Sequence, residues 1–256
     1  VQKTYTLHYA VGVFQKFYLG VMYFIFSQLI VGWDGCMGLI SDGDRKRLSG
    51  IYERQFKDEV RLLFFTQESE CPICSTVREL LVEVAGLSDK IKLEIYDFVK
   101  DHEKAKEYKI ERIPAIAIMG KRDYGIRIYG LPYGYEFRPF TELLIDVSRG
   151  STDLSMENKK KLASINKDAH IQVFVLLTCP YCPDVTRSAF KFAIENPHIR
   201  VDMTDIQIFP NLAQKYNVQG TPKTVINEKT DFSGAISEDL FVQQLMVIQR
   251  EPTYYG

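Results

Sequence analysis

A set of cysteine, aspartate, tyrosine and proline residues occurs twice in this chain of 256 residues. The offset is constant at 108 residues, the difference between positions 71 and 179. The repeated residues are Cys71, Cys74, Asp97, Tyr108 and Pro114, which return as Cys179, Cys182, Asp205, Tyr216 and Pro222. A fixed spacing shared by several residue types indicates a tandem duplication. The chain is also long enough for two units of roughly 100 to 130 residues, each with its own core.

Each half has the same predicted order of elements: helix, strand, dithiol turn, helix, strand, helix, proline turn, hairpin and helix. In the first half, the apolar run Val60 to Thr66 predicts a buried strand, and a helix follows from Cys71 to about Gly86. In the second half, Ile171 to Leu177 predicts the equivalent strand, and Cys179 opens a helix that ends near Ile194. We expect the two units to pack against each other, because the small polar boundary at Ser148 to Ser155 is too short for a flexible tether.

The first 36 residues differ from the rest. The stretch from Phe17 to Trp33 carries no charge, and its 17 residues lie at the lower limit for a membrane-spanning helix. We interpret residues 1–36 as a hydrophobic extension outside the working protein, with Met37 as the natural start. A membrane anchor and an additional buried helix are the alternatives. The predicted domains are therefore this extension, a first unit at 37–149 and a second unit at 150–256.

Charge and cysteine content exclude several classes of protein. Lys and Arg number 32 against 33 Asp and Glu, which gives a net charge of −1 and no basic field to attract nucleic acid. Five cysteines make an odd set, of which four form two close pairs and Cys36 stands alone. This is not the pattern of a secreted domain held together by disulfides.

The two close pairs indicate thiol-disulfide chemistry. A cysteine at the start of a helix loses its proton more readily than a free thiol, because the helix N-terminus favours negative charge. Cys71 and Cys179 are predicted to occupy that position and to attack a substrate disulfide as thiolates. Cys74 and Cys182 follow about one turn later, close enough to form a disulfide with the first sulfur and resolve the mixed disulfide.

The repeated prolines are the second part of the predicted sites. An Ile-Pro or Thr-Pro bond can be cis in a tight turn, and proline has no N–H to continue a strand ladder. The backbone of Ile113 and Pro114, or of Thr221 and Pro222, could then pair with an extended substrate segment beside the sulfurs. We therefore predict these four residues as substrate-binding.

Together these residues resemble the thioredoxin and glutaredoxin superfamily. Thr178 to Cys182 (TCPYC) with Thr221-Pro222 is similar to glutaredoxins, and Tyr216 to Pro222 (YNVQGTP) is similar to the approach to the thioredoxin cis-proline. The chain from about Met37 to Gln249 resembles the protein disulfide oxidoreductases of thermophilic archaea and bacteria. The resemblance implies an α/β fold of two tandem thioredoxin-fold units, each a central mixed β-sheet flanked by helices.

The same resemblance implies a function. It predicts a cytoplasmic enzyme, similar to protein disulfide isomerase, that reduces, oxidises or isomerises disulfides in protein substrates. It implies redox-active disulfides with no bound cofactor, and electrons from a thioredoxin reductase-like flavoprotein that uses NADPH. Of the two sites, Cys179 is expected to be the more active because its surroundings match glutaredoxins best.

One thioredoxin feature is missing from the sequence. Thioredoxins carry a buried aspartate in the strand before the dithiol, whereas Phe65 and Val173 occupy the positions six residues before Cys71 and Cys179. Glu68 and Glu70 are nearby candidates for the proton-transfer role, although loop carboxylates of this kind are more often simply solvated.

Other interpretations of the cysteines remain. Two Cys-x-x-Cys pairs also occur in zinc sites, but those pairs are usually about 15 to 20 residues apart, far closer than Cys74 and Cys179. A thioredoxin-like chaperone or binding module would hold unfolded chains without using its thiols. A reductase component that feeds a peroxidase would use them with one dominant partner.

Overall fold

A computed structural model describes residues 38–250, with side chains to residue 247. The predictions for residues 1–36, Cys36 included, lie outside the described residues. The first half contains α1 Asp42–Gln55, β1 Val60–Thr66, α2 Cys74–Ala85, β2 Ile91–Asp97, α3 His102–Glu107, β3 Ala115–Met119, β4 Asp123–Tyr129 and α4 Phe137–Arg149. The second half contains α5 Met156–Ala163, β5 Ala169–Val175, α6 Cys182–Glu195, β6 Ile199–Asp205, α7 Pro210–Lys215, β7 Lys223–Ile226, β8 Thr230–Ser233 and α8 Glu238–Arg250.

The strands form one mixed sheet of eight, in the order β2-β1-β3-β4-β6-β5-β7-β8. In each half the first two strands run parallel, as in the pairing of Val60 with Ile91 and of Ala169 with Ile199. The remaining pairs within each half are antiparallel. The predicted α/β fold of two tandem thioredoxin-fold units, with helices on a mixed sheet, is therefore confirmed.

The two units are joined more closely than packing alone would require. Strand β4 of the first half pairs in parallel with β6 of the second, from Ile126 beside Val201 to Tyr129 beside Thr204. Each of these strands would be an unpaired edge in an isolated unit, and pairing satisfies their backbone groups. Two predicted sheets therefore form one continuous sheet.

The duplication is visible in the detail of the two short helices α3 and α7. The second residue after each helix has a positive φ, which is 54° at Lys109 and 48° at Asn217. The N–H that follows each turn bonds back into the helix, from Ile110 to the Ala105 carbonyl and from Val218 to that of Ala213. Tyr108 and Tyr216 end the two helices and pack on Phe65 and Phe174. The repeated tyrosines are thus packing residues at helix ends.

Helices α4 and α6 join the halves on the other face of the sheet. Arg187 of α6 forms ion pairs with Glu142 and Asp146 of α4, at 2.9 and 2.5 Å. Arg187 and Asp146 are largely buried, with side-chain exposures of 12% and 6%. The hydrophobic core beneath them is shared, because one contiguous cluster contains buried residues of both halves, such as Val77 and Phe190.

Candidate active site

Both dithiols lie between the end of the first strand of their half and the helix that follows. Helices α2 and α6 begin at the second cysteines, Cys74 and Cys182, so the predicted helix starts at Cys71 and Cys179 were wrong by three residues. The reason is that each first cysteine precedes a proline, and a residue before proline is disfavoured in the helical conformation. The first cysteine therefore occupies the turn that leads into the helix.

The two cysteines of each pair differ in accessibility. Cys71 and Cys179 are each 8% exposed, whereas Cys74 is 3% and Cys182 0% exposed. Cys71 and Cys74 are joined by a disulfide, with an S–S distance of 2.07 Å, and Cys179 and Cys182 are free thiols. The first cysteine of each pair is therefore the more exposed of the two.

The second site has a polar contact that fixes the outer sulfur. Sγ of Cys179 donates a hydrogen bond to the carbonyl oxygen of Thr221, at 3.4 Å. Burial, followed by a hydrogen bond with Cys179, raises the pKa of the Cys182 thiol well above its usual value. Cys182 thus keeps its proton when the site is reduced, and needs a proton acceptor before it can act as a nucleophile.

The repeated prolines lie in equivalent turns. The Ile113-Pro114 and Thr221-Pro222 bonds are both cis. The carbonyl of each proline accepts an N–H from the far side of its hairpin, from Gly130 at 3.2 Å and from Gly234 at 2.8 Å. The structure brings Thr221 directly to Cys179, and it packs Ile113 against the core cluster that contains Cys71. Substrate binding by these four residues stays a prediction.

Sequence reasoning missed a buried carboxyl group that lies against α6. Glu136 ends a short 3₁₀ turn, Gly134–Glu136, in the first half, yet its side chain is fully buried and contacts Thr186 of the second half. Burial raises the pKa of Glu136 to about 7, and the Thr186 hydroxyl offsets part of the increase. Thr186 follows Cys182 by four residues, so the two lie on the same face of α6.

Two backbone contacts hold Glu136 against α6. The N–H of Tyr135 donates to the carbonyl of Leu177, at 3.0 Å, two residues before Cys179. Gly134 has a φ of 60°, and a Cβ built on it would lie 2.6 Å from the Leu177 oxygen. Only glycine allows this close approach between the loop of one half and the cysteine turn of the other. The sequence signal that could have identified Glu136 is its position between two aromatic residues, two residues after Gly134.

A second buried carboxyl lies nearby, at the end of β6. Asp205 is 1% exposed, and burial raises its pKa to about 6, although the backbone N–H of Gln207 opposes the shift. The predicted candidates Glu68 and Glu70 are instead exposed on the loop before Cys71. Of the two buried acids, Glu136 thus comes from the first half and Asp205 from the second.

The sequence left open two alternatives, a zinc site formed by the cysteine pairs and a membrane-spanning segment. Within residues 38–250, no group of three or more His, Cys, Asp or Glu residues is arranged to hold a metal ion. The same range contains no helix that is both long enough and apolar enough to cross a bilayer.

Comparison with known proteins agrees with the geometry. A family described as a thioredoxin domain matches residues 169–247. The N-terminal domain of the alkylhydroperoxide reductase AhpF from Enterococcus faecalis has a TM-score of 0.75 and 27% identity, over 80% of this chain and 99% of that chain. A protein disulfide oxidoreductase from Aeropyrum pernix has a TM-score of 0.76 and 27% identity, over 83% of this chain and 94% of that chain.

Curated relatives are more distant. An NADH dehydrogenase of Bacillus subtilis is 24% identical over 160 residues, which is 62% of this chain and 29% of that protein. A component of the alkyl hydroperoxide reductase of Staphylococcus aureus is 23% identical over 152 residues, which is 59% of this chain and 27% of that protein. The chain thus spans about a third of the length of the curated relatives it matches, or less. The predicted likeness to the thioredoxin superfamily and its disulfide oxidoreductases is confirmed.

Proposed function

We propose that this chain, a thiol-disulfide oxidoreductase of the thioredoxin superfamily, exchanges disulfides with protein substrates at two sites, in units covering residues 37–149 and 150–256. The observation that carries the proposal is the repeated pair of cysteines in which the first, at 8% exposure, is more exposed than the second, at 3% or 0%. Such a pair can form a mixed disulfide with an external cystine and then release it from within. A cytoplasmic location belongs to the same proposal and follows from the resemblance in sequence.

The reaction at the second site proceeds in two exchanges. The thiolate of Cys179 attacks one sulfur of a substrate cystine, the substrate S–S bond breaks, and the other substrate sulfur leaves as a thiolate and takes up a proton. Cys182 then loses its proton, and its sulfur attacks Sγ of Cys179 and displaces the substrate. The substrate gains two electrons and becomes a dithiol, while the enzyme dithiol is oxidised to a disulfide. The reverse sequence oxidises a substrate.

Glu136 serves as the proton acceptor for Cys182 in this proposal. Its carboxyl lies beside Thr186, on the face of α6 that Cys182 begins, and neither of its oxygens has a hydrogen-bond partner in the described part of the chain. A pKa of about 7 suits a group that must both accept and return a proton near neutral pH. One bridging water molecule would be enough to connect the thiol and the carboxylate.

A second candidate function is the reductase component of a peroxidase system. It is favoured by the match to 99% of the Enterococcus faecalis domain and by the Staphylococcus aureus relative. In both candidate functions the chain's own redox groups are the disulfides. Electrons would come from a flavoprotein that resembles thioredoxin reductase and uses NADPH. The relatives named NADH dehydrogenase fit a nicotinamide nucleotide as the source.

Reduction of insulin disulfides by dithiothreitol tests the proposed activity. We expect the chain to accelerate insulin precipitation, and the double variant Cys71→Ser/Cys179→Ser to reduce the rate to that of dithiothreitol alone. The matched control is Cys36→Ser, which removes the cysteine outside the two pairs. If the double variant is as fast as the wild type, thiol catalysis is not the function. If that variant still suppresses aggregation, the chaperone alternative gains.

Trapping distinguishes the two candidate functions. In Cys182→Ser the mixed disulfide on Cys179 cannot be resolved, so substrates remain attached to the protein. A variety of trapped proteins would support general disulfide exchange. A single dominant peroxidase would support the second candidate instead.

A further inference from the structure

The residue directly before the first proline turn, Arg112, contacts aromatic rings of both halves. The guanidinium carbon of Arg112 lies over the ring of Tyr129, the last residue of β4, at 4.3 Å from its centroid. The same carbon lies 6.0 Å from the ring centroid of Phe209, which belongs to the second half. A guanidinium within about 6 Å of the face of an aromatic ring is attracted to it. The residue next to Ile113-Pro114 is therefore held at the boundary between the halves.

The two rings are themselves packed together. Tyr129 and Phe209 meet edge to face, with ring centroids 6.2 Å apart and an interplanar angle of 87°. Tyr129 is fully buried, and Phe209 is 8% exposed. Phe209 is fixed by its backbone, because its N–H donates to the carbonyl of Asp205, at 3.1 Å, and its carbonyl accepts the N–H of Leu212, at 3.0 Å. The surface that Arg112 contacts is thus part of the packed interior, where side chains have little room to move.

Arg112 has few other partners. Its side chain is 19% exposed, and the carboxylate of Glu111, whose side chain is 70% exposed, lies 3.7 Å away. Nε of Arg112 is buried and has no hydrogen-bond partner among the described residues. An ion pair of this length with a largely exposed partner contributes little. The two rings are therefore the main contacts that hold the guanidinium.

The backbone connects the proline turn to the same part of β4. The carbonyl of Pro114 accepts the N–H of Gly130, at 3.2 Å. Ala115 pairs with Tyr129 in the antiparallel ladder of β3 and β4. Tyr129 thus contacts Arg112 through its ring and pairs with the strand that follows the turn. The residues on both sides of the proline turn are held by one buried tyrosine.

The duplication supplies an internal comparison. The offset of 108 residues places Gly220 at the position equivalent to Arg112. A Cβ built on Gly220 would meet no atom within 4 Å in the described part of the chain. In the second hairpin, Lys223 pairs with Ser233 of the edge strand β8, where the first hairpin has Tyr129. Of the two proline turns, the first is therefore the one held by an arginine and aromatic rings.

We propose that Arg112 is a positioning residue for the first dithiol, whose contact with the two rings fixes the Ile113-Pro114 turn beside which a substrate segment binds. This inference rests on the proposed function and deepens it, because it separates the two sites by how their substrate turns are held. Substrate binding at Cys71 then depends on a ring that the second half supplies, Phe209. The second turn, which has glycine at this position, has no such dependence.

The test uses the full chain with Cys179→Ser and Cys182→Ser, so that only the first dithiol reacts. Two disulfides oxidise the reduced protein: a short peptide closed by one cystine, and 2,2′-dithiodipyridine, which has no peptide backbone to pair with the turn. Each disulfide takes two electrons and two protons from the dithiol and becomes two thiols. Acid quenching and mass spectrometry give the two second-order rate constants. Their ratio reports substrate binding at the turn separately from the reactivity of the sulfur.

Arg112→Ala should lower the ratio of the peptide rate to the dithiodipyridine rate about threefold to tenfold, the size of a cation–π contact expressed as an equilibrium constant. Arg112→Lys keeps a cation over the rings and should restore most of the ratio. Phe209→Leu should also lower the ratio. The double variant should lose no more than Arg112→Ala alone, because both changes break the same contact. The matched control is Arg47→Ala, which removes an exposed arginine on α1.

The outcomes separate this inference from the proposed function. If Arg112→Ala leaves the ratio unchanged, or slows both disulfides equally, the positioning role is wrong. In a chain with Cys71→Ser and Cys74→Ser, Arg112→Ala should leave the ratio for the second dithiol unchanged, and an equal loss there would overturn the role. If neither disulfide oxidises the parent protein, the proposed exchange reaction itself fails.

Discussion

The backbone N–H of Tyr135 and the carbonyl of Leu177 form a hydrogen bond of 3.0 Å that ties the first half of the chain to the cysteine turn of the second. Tyr135 lies between the glycine that permits the approach and the buried Glu136. Leu177 lies two residues before Cys179. This one contact therefore connects the loop that holds Glu136 to the turn that holds Cys179.

Replacing Gly134 tests that connection. Gly134→Ala should destabilise the protein by about 1–3 kcal/mol or more, because alanine disfavours a positive φ and its Cβ would press on the Leu177 oxygen. Urea unfolding measures the loss. The matched control is Gly50→Ala within α1, where the Cβ meets no atom closer than 3.5 Å and a gain of about 0.5–1 kcal/mol is expected. Equal effects of the two changes would contradict the close approach.

The buried Glu136 predicts a specific dependence of stability on pH. Its pKa of about 7 lies above the usual 4.5, so the folded state holds a proton that the unfolded state loses between these values. The free energy of unfolding should therefore fall by about 3 kcal/mol as pH rises from about 4.5 to 7, apart from other groups. Glu136→Gln should remove this decline, which urea titrations at pH 5 and pH 8 would measure. A decline of the same size in the variant would exclude Glu136 as its source.

The ion pairs of Arg187 should matter more than those on the surface. Arg187→Met leaves Asp146 buried without its cation, at an expected cost of about 3 kcal/mol in the free energy of unfolding. Burial already raises the pKa of Asp146, so the loss should be smaller at low pH, where this carboxyl takes up a proton. Lys121→Ala breaks an exposed pair with Asp58 and should change stability by less than about 1 kcal/mol. Similar losses in both variants would argue against a buried network.

The two thiols of the second site should differ sharply in alkylation. Cys182 is fully buried and its pKa is raised, and each unit of that rise reduces the thiolate tenfold. Iodoacetamide at pH 7.5 should therefore modify Cys179 at least about tenfold faster than Cys182. Peptide mapping by mass spectrometry of the reduced protein gives both rates, and Cys36→Ser removes a competing thiol. Faster modification of Cys182 would reverse the assigned order of attack and resolution.

Much of the fold could be predicted from local sequence. The run from Val60 to Thr66 forms a strand with the predicted bounds, because continuous apolar residues suit a strand covered on both faces. The equivalent strand of the second half begins at Ala169 rather than Ile171, a shift of two residues. The helix starts were misplaced because Pro72 and Pro180 keep the preceding cysteines out of the helical conformation, an effect that apolar periodicity does not reveal.

Local sequence patterns could not identify the residue that we propose as the proton acceptor. The thioredoxin pattern points to the strand before each dithiol, where Phe65 and Val173 stand. The proposed acceptor, Glu136, comes instead from the other half and lies beside Thr186 of α6, where the pairing of β4 with β6 joins the halves. Periodicity predicts which residues of one element are buried, but not which two edge strands will meet. The candidate site was therefore predictable in its sulfurs and prolines, and not in its acid.

Because the two halves share one sheet, neither half is complete without the other. A gene that kept one copy would encode a unit whose inner strand, β4 or β6, offers bare N–H and C=O groups to any other chain able to extend as a strand. Such a unit would need new charges or prolines there before it could exist alone. Each half therefore depends on the other to cover its inner strand.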